Sequence, residues 1–148
     1  MDPSSLMEYL HARLGNRSGE FILPPPVFDF MQGELLEFDP QSAILKVRFP
    51  VLQSYLNPYG AMQGGMVTAA VDNTLGPLSM LVAPPNVTRT LDMKFSSPVT
   101  PDLENIFVEA RLKERNDRRL NFTAEVRDQT GRLLARAKAL HWIIDAPE

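Results

Sequence analysis

Two periods of apolar and polar positions divide the chain. From Ala43 to Val51, Ala43, Leu45, Val47 and Phe49 alternate with Ile44, Lys46 and Arg48, the pattern of a half-buried strand. The same two-residue period predicts strands from Met31 to Phe38, Thr88 to Phe95, Ile106 to Glu114, Leu120 to Asp128 and Leu133 to Ile144. In the Thr88 strand Leu91, Met93 and Phe95 share one face and Thr90, Asp92 and Lys94 the other, while Arg89 falls on the apolar face and is expected at the strand's mouth. Asp39-Pro40-Gln41-Ser42, Asn116-Asp117 and Asp128-Gln129-Thr130-Gly131 supply hairpin turns. Two segments break the period. Leu6, Leu10 and Leu14 follow Asp2-Pro3 at four-residue steps and stop at Gly15-Asn16, which predicts a short amphipathic helix. Met66 to Leu78 is apolar on almost every side, as in a helix enclosed by protein. Pro77 and Pro84-Pro85-Asn86 are expected at its frayed end, and Leu23-Pro24-Pro25-Pro26-Val27 as a stiff, extended connector. Strands on both sides of one buried helix predict an α+β fold with an antiparallel sheet.

The buried helix begins with chemistry that packing does not require. Asn57-Pro58-Tyr59-Gly60 is a turn, and Gly64-Gly65 stands where the helix should start, although two glycines weaken a helix and give the core no side chain. Glycines there let a ligand oxygen reach the unpaired N–H groups and the positive dipole end. Further along the same apolar run stands one carboxylate, Asp72, whose desolvation is costly unless it is paired or faces a cleft. Seven residues separate Gly65 from Asp72, so they share a side of the helix but lie ~10 Å apart. One carbonyl cannot touch both within a single helix. Either they do different work, or two chains meet.

Asn57, Gly60, Gln63-Gly64-Gly65, Asp72-Asn73, Thr90-Leu91-Asp92-Met93 and Ser97-Pro98 together resemble the hotdog-fold thioesterases of the phenylacetate PaaI and acyl-CoA thioesterase 13 type, over about Asn57 to Trp142. The resemblance implies an antiparallel sheet wrapped around a long central helix, in one domain spanning residues 1–148 with a short N-terminal helix. It also implies an active site shared across a dimer interface, tetramers being common. In its terms Gly64 donates the oxyanion hydrogen bond, Asp72 from the other subunit attacks the thioester or activates water, Asn57 is a hydrogen-bonding partner and Thr90 is the hydroxyl near the carboxylate. Where the family usually carries His-Gly-Gly this chain has Gln63-Gly64-Gly65. A glutamine amide donates hydrogen bonds but takes no proton, so proton transfer rests on Asp72 and water.

The implied reaction is hydrolysis of an acyl- or aryl-acyl-CoA, with coenzyme A entering as part of the substrate and no cofactor or metal. The loop around Arg118 and Arg119, with Ser96 and Ser97, is implied to hold coenzyme A; Met62 and Met66, flexible apolar side chains flanking the glycines, are candidates with Gly65 to border the acyl group. From charge alone the Arg115, Arg118, Arg119 cluster is as well read as a solvated loop, and the two methionines as plain core. His141 is read as a satisfied structural histidine and His11 as surface. A non-catalytic acyl-CoA binding protein is the alternative, with Gln63 marking relaxed chemistry; a dehydratase is third, for want of a histidine beside the central helix.

Composition narrows the rest. A length of 148 residues and 44% hydrophobic content suit one globular domain. A net charge of −3 gives no basic face for nucleic acid. With no cysteine and two histidines, neither a disulfide framework nor a zinc site is expected. No run reaches membrane-spanning length and Met1-Asp2-Pro3 does not begin like a secretory signal, so a cytoplasmic protein is expected.

Overall fold

The computed structural model describes residues 2–144. Helix α1 runs Pro3–Leu14, and the Asp2 carboxylate caps it by accepting from the Ser4 and Ser5 N–H groups at 3.0 and 3.1 Å. Its four-residue stripe does what the spacing predicts: Leu6 and Leu10 are buried and Leu14 packs at the margin of the core. Arg13 ties the helix down by donating to the Met80 carbonyl at 3.3 Å.

The proline-rich connector is not extended throughout. Pro26 opens a short helix, α2 (Pro26–Phe30), because a proline has no N–H to lose in the first turn and Pro25 before it is already extended. That turn seats Phe28 against Phe49, ring centroids 6.0 Å apart. It also shortens the first strand: the Met31 N–H still bonds the Val27 carbonyl, so β1 begins at Glu34. Gly33 between them is required by contact. A Cβ there would lie 2.7 Å from the Phe28 ring and 2.9 Å from that of Phe49.

Strand β1 (Glu34–Asp39) pairs with β2 (Ile44–Pro50), where Leu45, Val47 and Phe49 are fully buried. Helix α3 then spans Gly64–Val82, and β3 (Asn86–Phe95), β4 (Asn105–Asn116), β5 (Arg119–Arg127) and β6 (Leu133–Ile143) follow. All pairings are antiparallel, in the order β1-β2-β4-β5-β6-β3. The chain visits β3 before β4, so β3 ends as an edge strand, with Val87 and Phe95 exposed.

The inner face of the sheet closes on α3, which contacts β2, β3, β4 and β5. Val67, Ala70, Val71, Leu75, Leu78 and Leu81 of the helix are buried there. Pro77 does not end the helix, which continues to Val82. An interior proline costs ~3 kcal/mol, but Leu75, Leu78 and Leu81 flank it and are buried, each contributing ~1.5–3 kcal/mol. Burial outweighs the breaker. Leu78→Ala should therefore lower the unfolding free energy by ~2–5 kcal/mol in urea titration; a loss below ~1 kcal/mol would contradict the enclosure of α3.

Candidate active site at the start of the central helix

The approach to α3 is fixed by hydrogen bonds from its own loop. The Asn57 side-chain oxygen accepts from the Tyr59 and Ala61 N–H groups at 2.9 and 3.2 Å, and the Asn57 N–H donates to the Ala61 carbonyl at 2.7 Å. Gly60, at φ 78°, makes the turn possible. Met62 and Gln63 are then pinned through their N–H groups to the Val99 and Tyr55 carbonyls. The oxygen of Asn57 is thus spent on the loop, and its NH2 is what remains to reach a ligand.

At the helix start the Gln63 carbonyl accepts from the Met66 and Val67 N–H groups. The Gln63 side chain is exposed and caps nothing. Among the described residues, the Gly64 and Gly65 amides have no protein acceptor. Two donors at a dipole's positive end are therefore free to meet an oxygen. The two glycines differ in access: a Cβ on Gly64 would stand 3.3 Å from the Phe95 ring, whereas Gly65 faces open space. Met62 is buried in the core and Met66 packs at its margin, so Met62 does not line an open surface.

Two turns along, Asp72 is exposed on a helix otherwise largely enclosed. The hydroxyl beside it belongs to Thr88, whose Oγ lies 3.4 Å from Asp72 Oδ1. Thr90, the hydroxyl expected there, sits on the other face of the sheet with Asp92, Lys113, Asn121 and Lys138. The cause is a bulge. Thr88 pairs with His141 but Thr90 with Leu140, so Arg89 is an extra residue that breaks the two-residue alternation. Arg89 swings out over the Trp142 ring, 5.6 Å from its centroid, instead of lying on the apolar face.

Behind Thr88 the polar chain continues into the core. His141 is 2% exposed; its Nε2 lies 3.3 Å from the Thr88 hydroxyl and its Nδ1 2.8 Å from Asn86 Oδ1. Burial pushes the imidazole pKa below its ordinary value, and the Asp72 charge pulls it partly back. A histidine harder to protonate folded than unfolded costs stability as pH falls through ~6.5. Neither the Thr88 contact nor this chain was readable from spacing, since both depend on the bulge and the β3–β6 register.

The remaining expected residues gather at opposite ends of β3. Arg118 and Arg119 are exposed at the β4–β5 turn, where Arg119 pairs with Trp142 and Leu120 with His141, the partner of Thr88. They share the Asp72 end of the sheet. Ser96 and Ser97 follow Phe95 at the Gly64 end, their N–H groups donating to the Leu134 carbonyl and the Ser97 hydroxyl accepting from Arg132. Ten residues of strand put the two ends ~30 Å apart. Among the described residues no group of three or more His, Asp or Glu could hold a metal, and no helix is long and apolar enough to cross a membrane.

Residues 59–135 match the model of the thioesterase superfamily. The chain belongs to that superfamily. Solved structures agree on the architecture. A phenylacetic acid degradation-related protein of Ralstonia eutropha is 25% identical, with TM-score 0.76, over 91% of this chain and 99% of that one. The Escherichia coli PaaI protein of the phenylacetic acid degradation operon is 13% identical, with TM-score 0.78, over 97% and 96%. A hypothetical thioesterase of Streptococcus pneumoniae solved with coenzyme A is 15% identical, with TM-score 0.71, over 78% and 88%. No curated protein matches by sequence. This is a hotdog fold of the PaaI type: a six-stranded antiparallel sheet around one long helix.

In this thioesterase-superfamily chain the Asn57 oxygen holds the loop that presents the glycine amides. Asn57→Ala should speed hydrogen exchange at the Tyr59 and Ala61 amides by about 10-fold, the loss of one or two modest hydrogen bonds. Unchanged protection at both would show that the loop is held by something else.

Proposed function

We propose that the protein hydrolyses the thioester of an acyl- or aryl-acyl-CoA to the free acid and coenzyme A. The observation that carries this reading is the pair of unpartnered amides at the α3 start, in register with one exposed carboxylate two turns on. The thioester oxygen would accept from the Gly64 N–H, which opposes the negative charge that grows there as the carbonyl carbon is attacked. Attack comes from Asp72 directly, or from a water whose proton Asp72 removes. The C–S bond then breaks, the electron pair leaves with sulfur, and the thiolate takes up a proton to give free coenzyme A; after direct attack the acyl group is left on Asp72 as a mixed anhydride, which a water cleaves to the free acid and the restored carboxylate. Gln63 can hold or donate a hydrogen bond but moves no proton.

One chain cannot complete this site, because Gly64 lies at the Phe95 end of β3 and Asp72 at the Thr88 end. A second copy related by a two-fold axis would run its β3 antiparallel to the first and reverse those ends. Gly64 and Ser96-Ser97 of one protomer would then face Asp72 and Arg118-Arg119 of the other. The bare β3 edge, with Val87 and Phe95 exposed, is the surface that such pairing would cover. A homodimer is the minimum this reading needs, and a tetramer is compatible with it. Arg118 and Arg119 would bind the coenzyme A phosphates; an acyl-CoA substrate goes with a single cytoplasmic domain.

The test is thiol release from short, medium, long-chain and aromatic acyl-CoAs. Asp72→Asn should lower kcat by at least ~10³-fold with the fold intact by circular dichroism. Gly64→Pro removes the proposed donor with little backbone strain, since the site is the first helical position and Gln63 already holds the extended φ −57°, ψ 139° that a following proline demands, and the exposed Phe95 ring, 3.3 Å from the added Cβ, has room to give. It should cost ~10²–10³ in kcat. Full activity in either variant would overturn the assignment. Acyl-CoA binding without turnover on any substrate would make the protein a binding module instead.

A further inference from the structure

The hydrogen bonds behind Asp72 contain a shortage of one proton. Asn86 is fixed by its NH2, which donates to the Pro84 carbonyl at 2.9 Å and the Ser79 carbonyl at 3.4 Å. Its Oδ1 therefore accepts, and His141 Nδ1 must carry a hydrogen. With Nδ1 protonated, the Nε2 of a neutral imidazole is a bare lone pair facing Thr88. The Thr88 hydroxyl has one hydrogen and two acceptors, Nε2 at 3.3 Å and the Asp72 carboxylate at 3.4 Å. Asp72 is exposed and water can satisfy it, whereas His141 is buried and Thr88 is its only neighbour for Nε2 among the described residues. The hydrogen goes to the histidine.

We propose that His141 is a positioning residue that governs Asp72 through the Thr88 hydroxyl. The neutral imidazole holds the hydrogen and leaves the carboxylate without a protein donor, free to attack or take a proton. The imidazolium reverses the chain: Nε2–H donates to Thr88 Oγ, the Thr88 hydrogen turns to Asp72, and the carboxylate is damped. The inference rests on the proposed role of Asp72. Its surroundings leave the control to few groups. From α3 the charged group acting on His141 is Asp72; β3 presents Asn86 and Thr88, and β5 presents Leu120 and the Phe122 ring at 4.8 Å. Arg89 is turned onto Trp142, and Arg119 pairs with that same outward neighbour. Burial keeps the imidazole neutral at pH values where an exposed one would charge, so the damping belongs on the acid side of ~6.5.

The experiment pairs ¹⁵N NMR titration of His141 with the pH profile of kcat, using the acyl-CoA turned over best; His11→Gln separates the two histidine signals. The neutral form should be the Nδ1–H tautomer, and the acid limb of kcat should share its midpoint. Asn86→Asp places a charge against Nδ1–H and should raise both midpoints together by about one pH unit or more. Thr88→Val cuts the link: the NMR midpoint should move down, because the buried Nε2–H of the imidazolium loses its acceptor, while kcat at about pH 5.5, relative to pH 8, rises several-fold and shows no limb at that midpoint. An Nε2–H tautomer, or an acid limb that stays put in Asn86→Asp while the NMR midpoint moves, would overturn the proposal. Absence of turnover on every acyl-CoA would instead refute the hydrolase reading. The tautomer and a midpoint that falls in Asp72→Asn would then still support the coupling, and an unmoved midpoint would refute it.

Discussion

Helix α3 must be buried by the sheet on most of its surface and yet stay open along one line. The burial supplies the stability: Val67, Ala70, Val71, Leu75, Leu78 and Leu81 fill the inside of the wrap, strongly enough to carry Pro77 within the helix. The opening gives the proposed chemistry its place, because Gly64, Gly65 and Asp72 recur at helical spacing on the side that β3 leaves exposed. A sheet that closed fully over the helix would seal the glycine amides and desolvate the carboxylate. Leaving β3 as an edge strand prevents that, and creates an edge that asks for a partner.

The same strand explains why the site reads as two halves. Phe95 at one end packs over Gly64, and Thr88 at the other meets Asp72. The intervening bulge at Arg89 decides which hydroxyl faces the carboxylate, and by turning Thr88 inward it connects Asp72 to the buried His141 and Asn86. A surface carboxylate is in this way attached to a core hydrogen-bond chain. Chains of that kind hold geometry well when every member is satisfied, and this one is satisfied differently in its two proton states.

Much of this was legible in the sequence because it rests on period and on residue chemistry. The strand faces other than at the Arg89 bulge, the Leu6-Leu10-Leu14 stripe of α1 and the enclosed helix followed from apolar spacing, and the Asp2 cap from the Asp2-Pro3 pair. What spacing does not carry is context. Pro26 opens α2 where a rigid connector was expected, since a proline's meaning depends on whether a helix begins at it. Pro77 was expected at the helix end, but burial around it decided otherwise. Thr90 was expected beside Asp72, and one inserted residue gave the place to Thr88. The family resemblance supplied Gly64 and Asp72 as a pair; the buried chain through His141 needed the β3–β6 register, which no local pattern encodes.

The central claim is that a glycine amide of one protomer and Asp72 of another act on one thioester, and complementation tests it most directly. Gly64→Pro and Asp72→Asn proteins, each nearly inactive, would be mixed, dissociated and allowed to reassociate, and thiol release measured. A mixed dimer holds one site with both defects and one with neither, so random pairing should restore about a quarter of wild-type activity. A mixture no more active than its parents, with subunit exchange confirmed, would contradict the shared site.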